Sequence, residues 1–480
     1  MHTTLILLLI IYFLDSLVNP VSDKPRKSIF NDPTVKTCIL LLSLVPEAIT
    51  SAMVRPLVPY MIRTLSLDLP ADKLEGQIGA RCGLFASAFF MPRLVMNIVW
   101  GAASDSMGRK PILLLGLVFG GLTTLALGLN TSSFYDALAC RFVAGVFSGN
   151  GVVVKGALSE IHQDEKGRSW AFTLYGSIYA LSGILGPIIG GVLMEKTRSN
   201  PFGISASPYF GICIFGVTLS AMALVMISIC FRETKNRRVS VPYVSPKHVA
   251  RKKEWFLFTA IKSPALIINI LLYMLLAFCN MFWGSILPLL FSTPTQFGGL
   301  GFSPKDASFV MTIPSISNLL CQTFVCEWIV NKIGAHKSFC LAIAMVIPAT
   351  FGLGVMGGTI GVFVMPVVVI CLAMIGFIDA LADLSITIMI SESAPANALG
   401  SAFGLTSTFS AAVRTLAGPF AGKAWKHASL ELHSTSAVFR SVHAAALASV
   451  IIAWSSQGLA KNQKVQDRNR RRSSLRGPEM

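Results

Sequence analysis

The chain is predicted to be an all-α membrane protein of twelve transmembrane helices in two six-helix halves. Three observations predict this. Of its 480 residues, 53% are hydrophobic and only 13% are charged, whereas soluble domains carry about a quarter charged residues. The apolar residues come in blocks of roughly 20, the length that crosses a bilayer as helix. A polar, basic stretch at 232–263 divides those blocks six and six.

The spans run, in order, over 36–62, 80–100, 111–129, 134–157, 169–194, 207–231, 264–290, 305–330, 336–356, 361–390, 398–424 and 436–458. Several contain Gly or Pro, which membrane helices tolerate because neighbouring groups re-satisfy the backbone. The domain plan is therefore 1–35, an interfacial or disordered N-terminal segment; 36–231, the first bundle; 232–263, a basic cytoplasmic linker; 264–460, the second bundle; and 461–480, a disordered basic cytoplasmic tail. Leu5 to Leu14 is apolar but short, and no Lys or Arg precedes it as a signal peptide would require.

The net charge of +17 is not spread as nucleic-acid binding would need. Nine of the 40 Lys and Arg fall between Arg232 and Lys262 and seven between Lys461 and Arg476. Those stretches flank apolar blocks, as do Arg109-Lys110, Lys166 with Arg168, and Lys332 with Lys337. All fall on one side of the predicted topology, which the positive-inside rule assigns to the cytoplasm, together with both termini of the helical core. The lipid bilayer is thus the expected macromolecular partner, and plasma membrane and vacuolar membrane both fit. The ten cysteines lie singly and the seven histidines do not cluster, so no metal site and no cofactor is expected.

Ionisable residues inside spans are expensive and are functional candidates by default. Glu47 in span 1 lies about 17 Å above the inner end and Arg141 in span 4 about 10 Å below the outer end, at 1.5 Å per residue. In a core about 30 Å thick the two depths agree within about 3 Å. Either protonation of Glu47 releases Arg141 as a coupling switch, or the two form a static ion pair. Arg93 in span 2 either faces a cavity or pairs with Glu47. In span 10, Asp379 and Asp383 are four apart on one helix face, and two carboxylates so close in low dielectric cannot both ionise cheaply. Depth places Arg414 of span 11 nearer Asp379, leaving Asp383 as the protonatable acid; a hydrated cavity wall is the alternative. Arg55 and Lys423 are expected at the membrane interface. Tyr273, Asn280, Phe282 and Trp283 in span 7 form a stripe that either lines a pocket for an amphipathic solute or packs an ordinary helix.

The polar link Gly101-Ala102-Ala103-Ser104-Asp105-Ser106-Met107-Gly108-Arg109-Lys110 follows span 2 in the pattern G-x-x-x-D-x-x-G-R-K. It resembles the loop between helices 2 and 3 of the major facilitator superfamily. Arg141 to Gly145 resembles that superfamily's R-x-x-x-G helix. Gly183-Ile184-Leu185-Gly186-Pro187-Ile188-Ile189-Gly190-Gly191 is similar to the G-x-x-x-G-P-x-x-G-G motif of its drug:proton antiporters. Spans 10–11 resemble the fungal and plant zinc-induced-facilitator-like branch, but the plant branch's Cys-containing signature and His-rich loop are missing.

The resemblance implies a transporter working by alternating access, with helices 1, 4, 7 and 10 around the cavity. It associates Arg141 with proton transfer, while Glu47, Asp379, Asp383 and Arg414 are assigned to proton coupling from their own placement inside the spans. It makes Gly101, Asp105, Gly108, Arg109 and Lys110 a conformational latch, with Asp105 engaging the start of helix 11. Gly183, Gly186, Pro187, Gly190 and Gly191 are the motif associated with export. The expected function is proton-coupled efflux of a small organic or amphiphilic molecule, without covalent change, by a monomer. A nutrient importer and a transport-inactive sensor are the rivals; with no nucleophile, metal site or phosphate loop in view, an enzyme is not expected. A fainter copy of the loop at Asn331 to Lys337 keeps Gly and a base but lacks the acid, so the latch should be one-sided.

Overall fold

The protein was analysed as a computed structural model, which describes residues 32–66, 71–130, 133–162, 165–198, 209–231, 233, 264–356, 363–393, 399–428, 438–440 and 442–455. Among them there is no β-strand. Nine helices are long and apolar enough to cross a membrane: α1 (Pro33–Thr64), α2 (Gln77–Ser104), α3 (Arg109–Leu129), α4 (Phe134–Leu158), α5 (Trp170–Glu195), α6 (Phe210–Cys230), α7 (Pro264–Ser292), α9 (Ala335–Met356) and α10 (Val364–Ser393). A tenth, α8, is the pair Pro304–Phe324 and Cys326–Ile333, bent by 52°. Two further helices complete the series: α11 (Leu399–Lys426) and the short α12 (Val442–Ser455). Each lies where a span was expected. The expected N-terminal segment lies outside the described residues except for 32–35, which already cap and begin α1; the tail lies outside them too, as does all of the linker but Glu233.

Local chemistry sets several helix starts. Asp32 caps α1 by accepting from the Thr34 N–H at 2.7 Å, with Pro33 at the first position. Ser133 accepts from the Asp136 N–H ahead of α4, and Ser303 accepts from the Asp306 N–H ahead of α8. Such side chains satisfy donors that a helix start leaves orphaned. α1 is interrupted by a turn at Ser43-Leu44 and a 3-10 turn at Arg55–Leu57, next to Pro46, Pro56 and Pro59. Each proline removes a backbone donor and crowds the preceding turn.

Small residues then decide which helices touch, as expected where lipid removes the hydrophobic drive for helix association. A Cβ on Gly79 would stand 2.8 Å from the Gly422 carbonyl, and one on Gly83 would meet the backbone of Gly418, so α2 and α11 pack backbone to backbone. On α5, Gly186 and Gly190 lie against Ala52 and Met53 of α1, while Gly183 and Gly191 lie against Ser315 and Ser308 of α8.

Two apolar cores result. The smaller joins Leu40, Leu44, Leu113, Leu117, Val154 and Leu158 within the first half. The larger unites the two halves, bringing Leu57, Met61, Ile62 and Phe85 together with Leu289, Leu290 and Phe291. It runs on through the second half to Phe339 and Met389, while its contacts between the halves lie toward the end of the bundle opposite the 101–110 loop. There the Tyr60 hydroxyl donates to the Phe302 carbonyl at 2.6 Å, and Lys305 pairs with Glu195 at 2.8 Å. The bundle is joined across its halves at that end. Ile229, Leu416, Phe324 and Trp454 remain exposed on its surface, as suits helices facing hydrocarbon.

Candidate functional site

The charged groups expected inside the spans do meet at mid-bundle, but with partners that depth alone did not select. Ser148 donates its hydroxyl to Glu47 at 2.6 Å, and Arg93 is the base paired with Glu47, at 3.9 Å. Arg141 is an electrostatic neighbour of Glu47, yet its guanidinium stacks over Phe89 at 4.6 Å and Phe85 at 5.4 Å. The expected Glu47–Arg141 contact is replaced by Glu47–Arg93. Depth along a helix says nothing about direction around it, and Phe89 takes the place beside Arg141.

The Phe89 and Phe90 rings meet edge to face at 5.5 Å and form a wall shared by three arginines. Arg93 lies 5.0 Å from Phe89 and 5.9 Å from Phe90, and Arg414 of the other half lies 5.9 Å from Phe90. Ring faces carry negative potential and are worth roughly 0.5–2 kcal/mol to a cation. A buried ion left without a counter-charge costs several kcal/mol. Stacking alone therefore does not offset the burial of these guanidiniums.

Across the gap, Asp379 and Asp383 lie on α10. Asp379 has Asp383, Arg55 and Arg414 as electrostatic neighbours, and Asp383 has Arg414. Among the described residues no hydrogen bond closes the expected Asp379–Arg414 pair: Oδ1 of Asp379 and Nε of Arg414 are both buried and unpartnered, as is Nε of Arg141. Arg55, expected at the membrane interface, is exposed and is an electrostatic neighbour of Asp379 and Arg414. It occupies the 3-10 turn of α1, whose proline-broken backbone departs from straight-helix depth arithmetic.

Of the α7 stripe, Tyr273 belongs to the site, near Asp383 and Arg414 and hydrogen-bonded to Ser410. Asn280 has a buried, unpartnered Oδ1. Phe282 and Trp283 are core residues packed within the second half, Phe282 against Phe278 and Phe420; ordinary packing describes these two. Sequence reasoning missed Lys155 on α4, which lies over the Tyr175 ring at 5.0 Å, and Tyr179, whose hydroxyl is 3.4 Å from that of Tyr175. A lysine inside span 4 was the available signal.

The 101–110 loop is anchored by residues from far along the chain. Gly108 adopts φ +103°, a conformation that only glycine enters readily. The N–H groups of Arg109 and Lys110, opening α3, donate to the two carboxylate oxygens of Glu233 at 3.0 and 3.1 Å. An acid at a helix start satisfies orphan donors and suits the helix dipole. The Arg109 guanidinium binds Glu160 at 2.6 Å and the Ser104 hydroxyl, and Lys110 donates to the Ser228 carbonyl at 2.7 Å. Glu233 was not singled out from sequence; its signal is an acid just past the end of an apolar span. Gly101 approaches Val152 of α4. The Asp105 side chain lies outside what the structure describes. The second half repeats the turn: Gly334 has φ +85°, and the space beside it is open among the described residues.

Two bundles of helices closed on each other at one end, with charged side chains from both halves near mid-span, are the architecture of a membrane transporter. The chain belongs to the Major Facilitator Superfamily, which it matches over residues 40–418. It is 26% identical over 301 residues to Protein ZINC INDUCED FACILITATOR 1 of Arabidopsis thaliana, covering 58% of this chain and 61% of that one. The matched stretch thus spans about three fifths of that relative. It is 23% identical over 347 residues to Efflux pump azaK of Aspergillus niger, covering 70% of this chain and 69% of the pump. In three dimensions it is similar to the nucleoside transporter NupG, with TM-score 0.62 and 15% identity over 88% of this chain and 98% of that one; at that identity the likeness concerns the fold alone.

Proposed function

We propose that this transporter couples proton movement to efflux of a small organic, amphiphilic compound by alternating access. It works as a monomer in a plasma or vacuolar membrane, with the 101–110 loop on the cytoplasmic side. The observation that carries the reading is the mid-span arrangement of Glu47, Asp379 and Asp383 beside Arg93, Arg141, Arg414 and Arg55. Carboxylates in low dielectric beside movable cations exchange a proton for a change of partner. Glu47 has two such partners at hand: Arg93, which it binds, and Arg141, which it does not.

The closed end supports a state open toward the 101–110 loop. In it the loop is held by Glu233 and Glu160, and the α5 glycines lie against α1 and α8. Efflux is favoured by that α5 motif and by the likeness to an efflux pump. The test is transport of a compound panel in proteoliposomes of the full chain under an imposed pH gradient. Extrusion driven by protons entering, and abolished by a protonophore, is expected. Accumulation driven by outside acidification would point to an importer, and binding without flux to a sensor.

A further inference from the structure

The mid-span chamber holds more positive than negative groups. Five cationic side chains gather there, Arg55, Arg93, Arg141, Lys155 and Arg414, each an electrostatic neighbour of at least one of the others. They face three carboxylates, Glu47, Asp379 and Asp383. Among the described residues, Arg93 is the one of these four arginines paired with a carboxylate, at 3.9 Å.

The surroundings of these cations are organised rather than incidental. Three of the guanidiniums lie on the Phe89–Phe90 wall, and Nε of Arg141 and of Arg414 is buried without a partner. Arg141 belongs to one half and Arg414 to the other, and they lie against adjacent rings, Phe89 at 4.6 Å and Phe90 at 5.9 Å. The space is reachable: the Glu47 side chain is 27% exposed and Arg93 21%, although both lie at mid-span. Tyr179 is 41% exposed and is a neighbour of Glu47 and Arg93. Tyr175 of one half and Tyr273 of the other are electrostatic neighbours.

Guanidinium forks match planar acidic groups, and the phenol and phenyl rings offer an apolar wall for a carbon skeleton. We propose that the chamber takes an organic anion, its carboxylate, sulfonate or phosphate held between Arg141 and Arg414 and its body against the aromatic wall. This assignment rests on the transport reading above and names its substrate class. A cation of the same size would enter a field of its own sign.

The test uses the full chain, both in proteoliposomes and in detergent. Carboxyfluorescein is the organic anion probe, rhodamine 123 the cation with a similar ring system, and inorganic phosphate the anion without an organic body. Saturable carboxyfluorescein flux is expected. Half-saturation should weaken roughly tenfold in Arg414→Gln, the scale of one lost charge-assisted contact, and less in Arg414→Lys. Arg141→Gln should behave like Arg414→Gln, so a folding defect in one variant leaves the other to decide. Flux of rhodamine 123 without carboxyfluorescein, or carboxyfluorescein flux indifferent to both Gln variants, overturns the assignment. Phosphate competing as well as carboxyfluorescein overturns the organic part of it. Carboxyfluorescein that raises the unfolding temperature but does not move sinks the transport reading and keeps the anion site. Neither stabilisation nor flux with carboxyfluorescein overturns the anion site.

Discussion

Glu233 and Arg109 are 124 positions apart, yet the Glu233 carboxylate receives the backbone N–H of Arg109 at 3.0 Å and that of the next residue at 3.1 Å. One carboxylate, following α6 directly, thereby caps α3. Replacing Glu233 by Ala should remove the cap and lower stability by about 0.5–2 kcal/mol, the usual cost of a lost N-cap. Thermal unfolding in detergent measures it. Glu233→Gln, which keeps an acceptor but no charge, should lie between the two. A melting curve unchanged in Glu233→Ala contradicts the cap.

Gly108→Ala tests the same turn from the other side. At φ +103° a Cβ is strained, and it would also stand against the Glu233 carboxylate. Lower flux and a lower unfolding temperature are expected. Gly334→Ala, strained alike but facing open space, should cost less.

Gly83→Val bears on the closed end. The added side chain meets the α11 backbone, and overpacking of this kind costs about 1–3 kcal/mol. Opening of the α2–α11 contact should expose Cys82, which is 4% accessible in this structure. Labelling by a membrane-impermeant maleimide should rise, with Cys82→Ser as the control. Unaltered labelling would show that the contact does not hold this end shut.

The Lys305–Glu195 pair joins the halves at the same end and is exposed on both sides. Exposed pairs contribute little, so Lys305→Glu should alter flux only by roughly two- to five-fold, the scale such pairs set. Exchanging both charges, Lys305→Glu with Glu195→Lys, should restore it. A double variant worse than the single would rule out a direct pairing role.

Proton coupling has its own test in Glu47→Gln and Asp383→Asn. Each should keep substrate exchange at equal pH while losing accumulation driven by a pH gradient. Gradient-driven flux unchanged in both variants contradicts the coupling scheme.

What could be read from the chain alone was largely one-dimensional. Twelve apolar stretches predict twelve helices, because crossing hydrocarbon demands a fixed length of apolar helix; among the described residues nine meet that demand, ten with the bent α8, and α11 and the short α12 stand at the other two positions. The same arithmetic set Glu47 level with Arg141 and Arg414 nearer Asp379 than Asp383; in the structure Glu47 is an electrostatic neighbour of Arg141, and Arg414 of both acids. The G-x-x-x-D-x-x-G-R-K pattern likewise marked a tight turn, and Gly108 and Gly334 take the same left-handed conformation in the two halves.

Tertiary structure alone decided who meets whom. Glu47 pairs with Arg93, Arg141 stacks on Phe89, and Phe282 and Trp283 go into the core. Depth follows from counting residues, but direction around a helix follows from the neighbours it packs against. Those neighbours are chosen by small residues hundreds of positions apart, such as Gly83 and Gly418, whose lack of side chains lets two backbones touch. No local pattern carries that information, and Glu233 shows it most plainly: an unremarked acid after one helix holds the start of another.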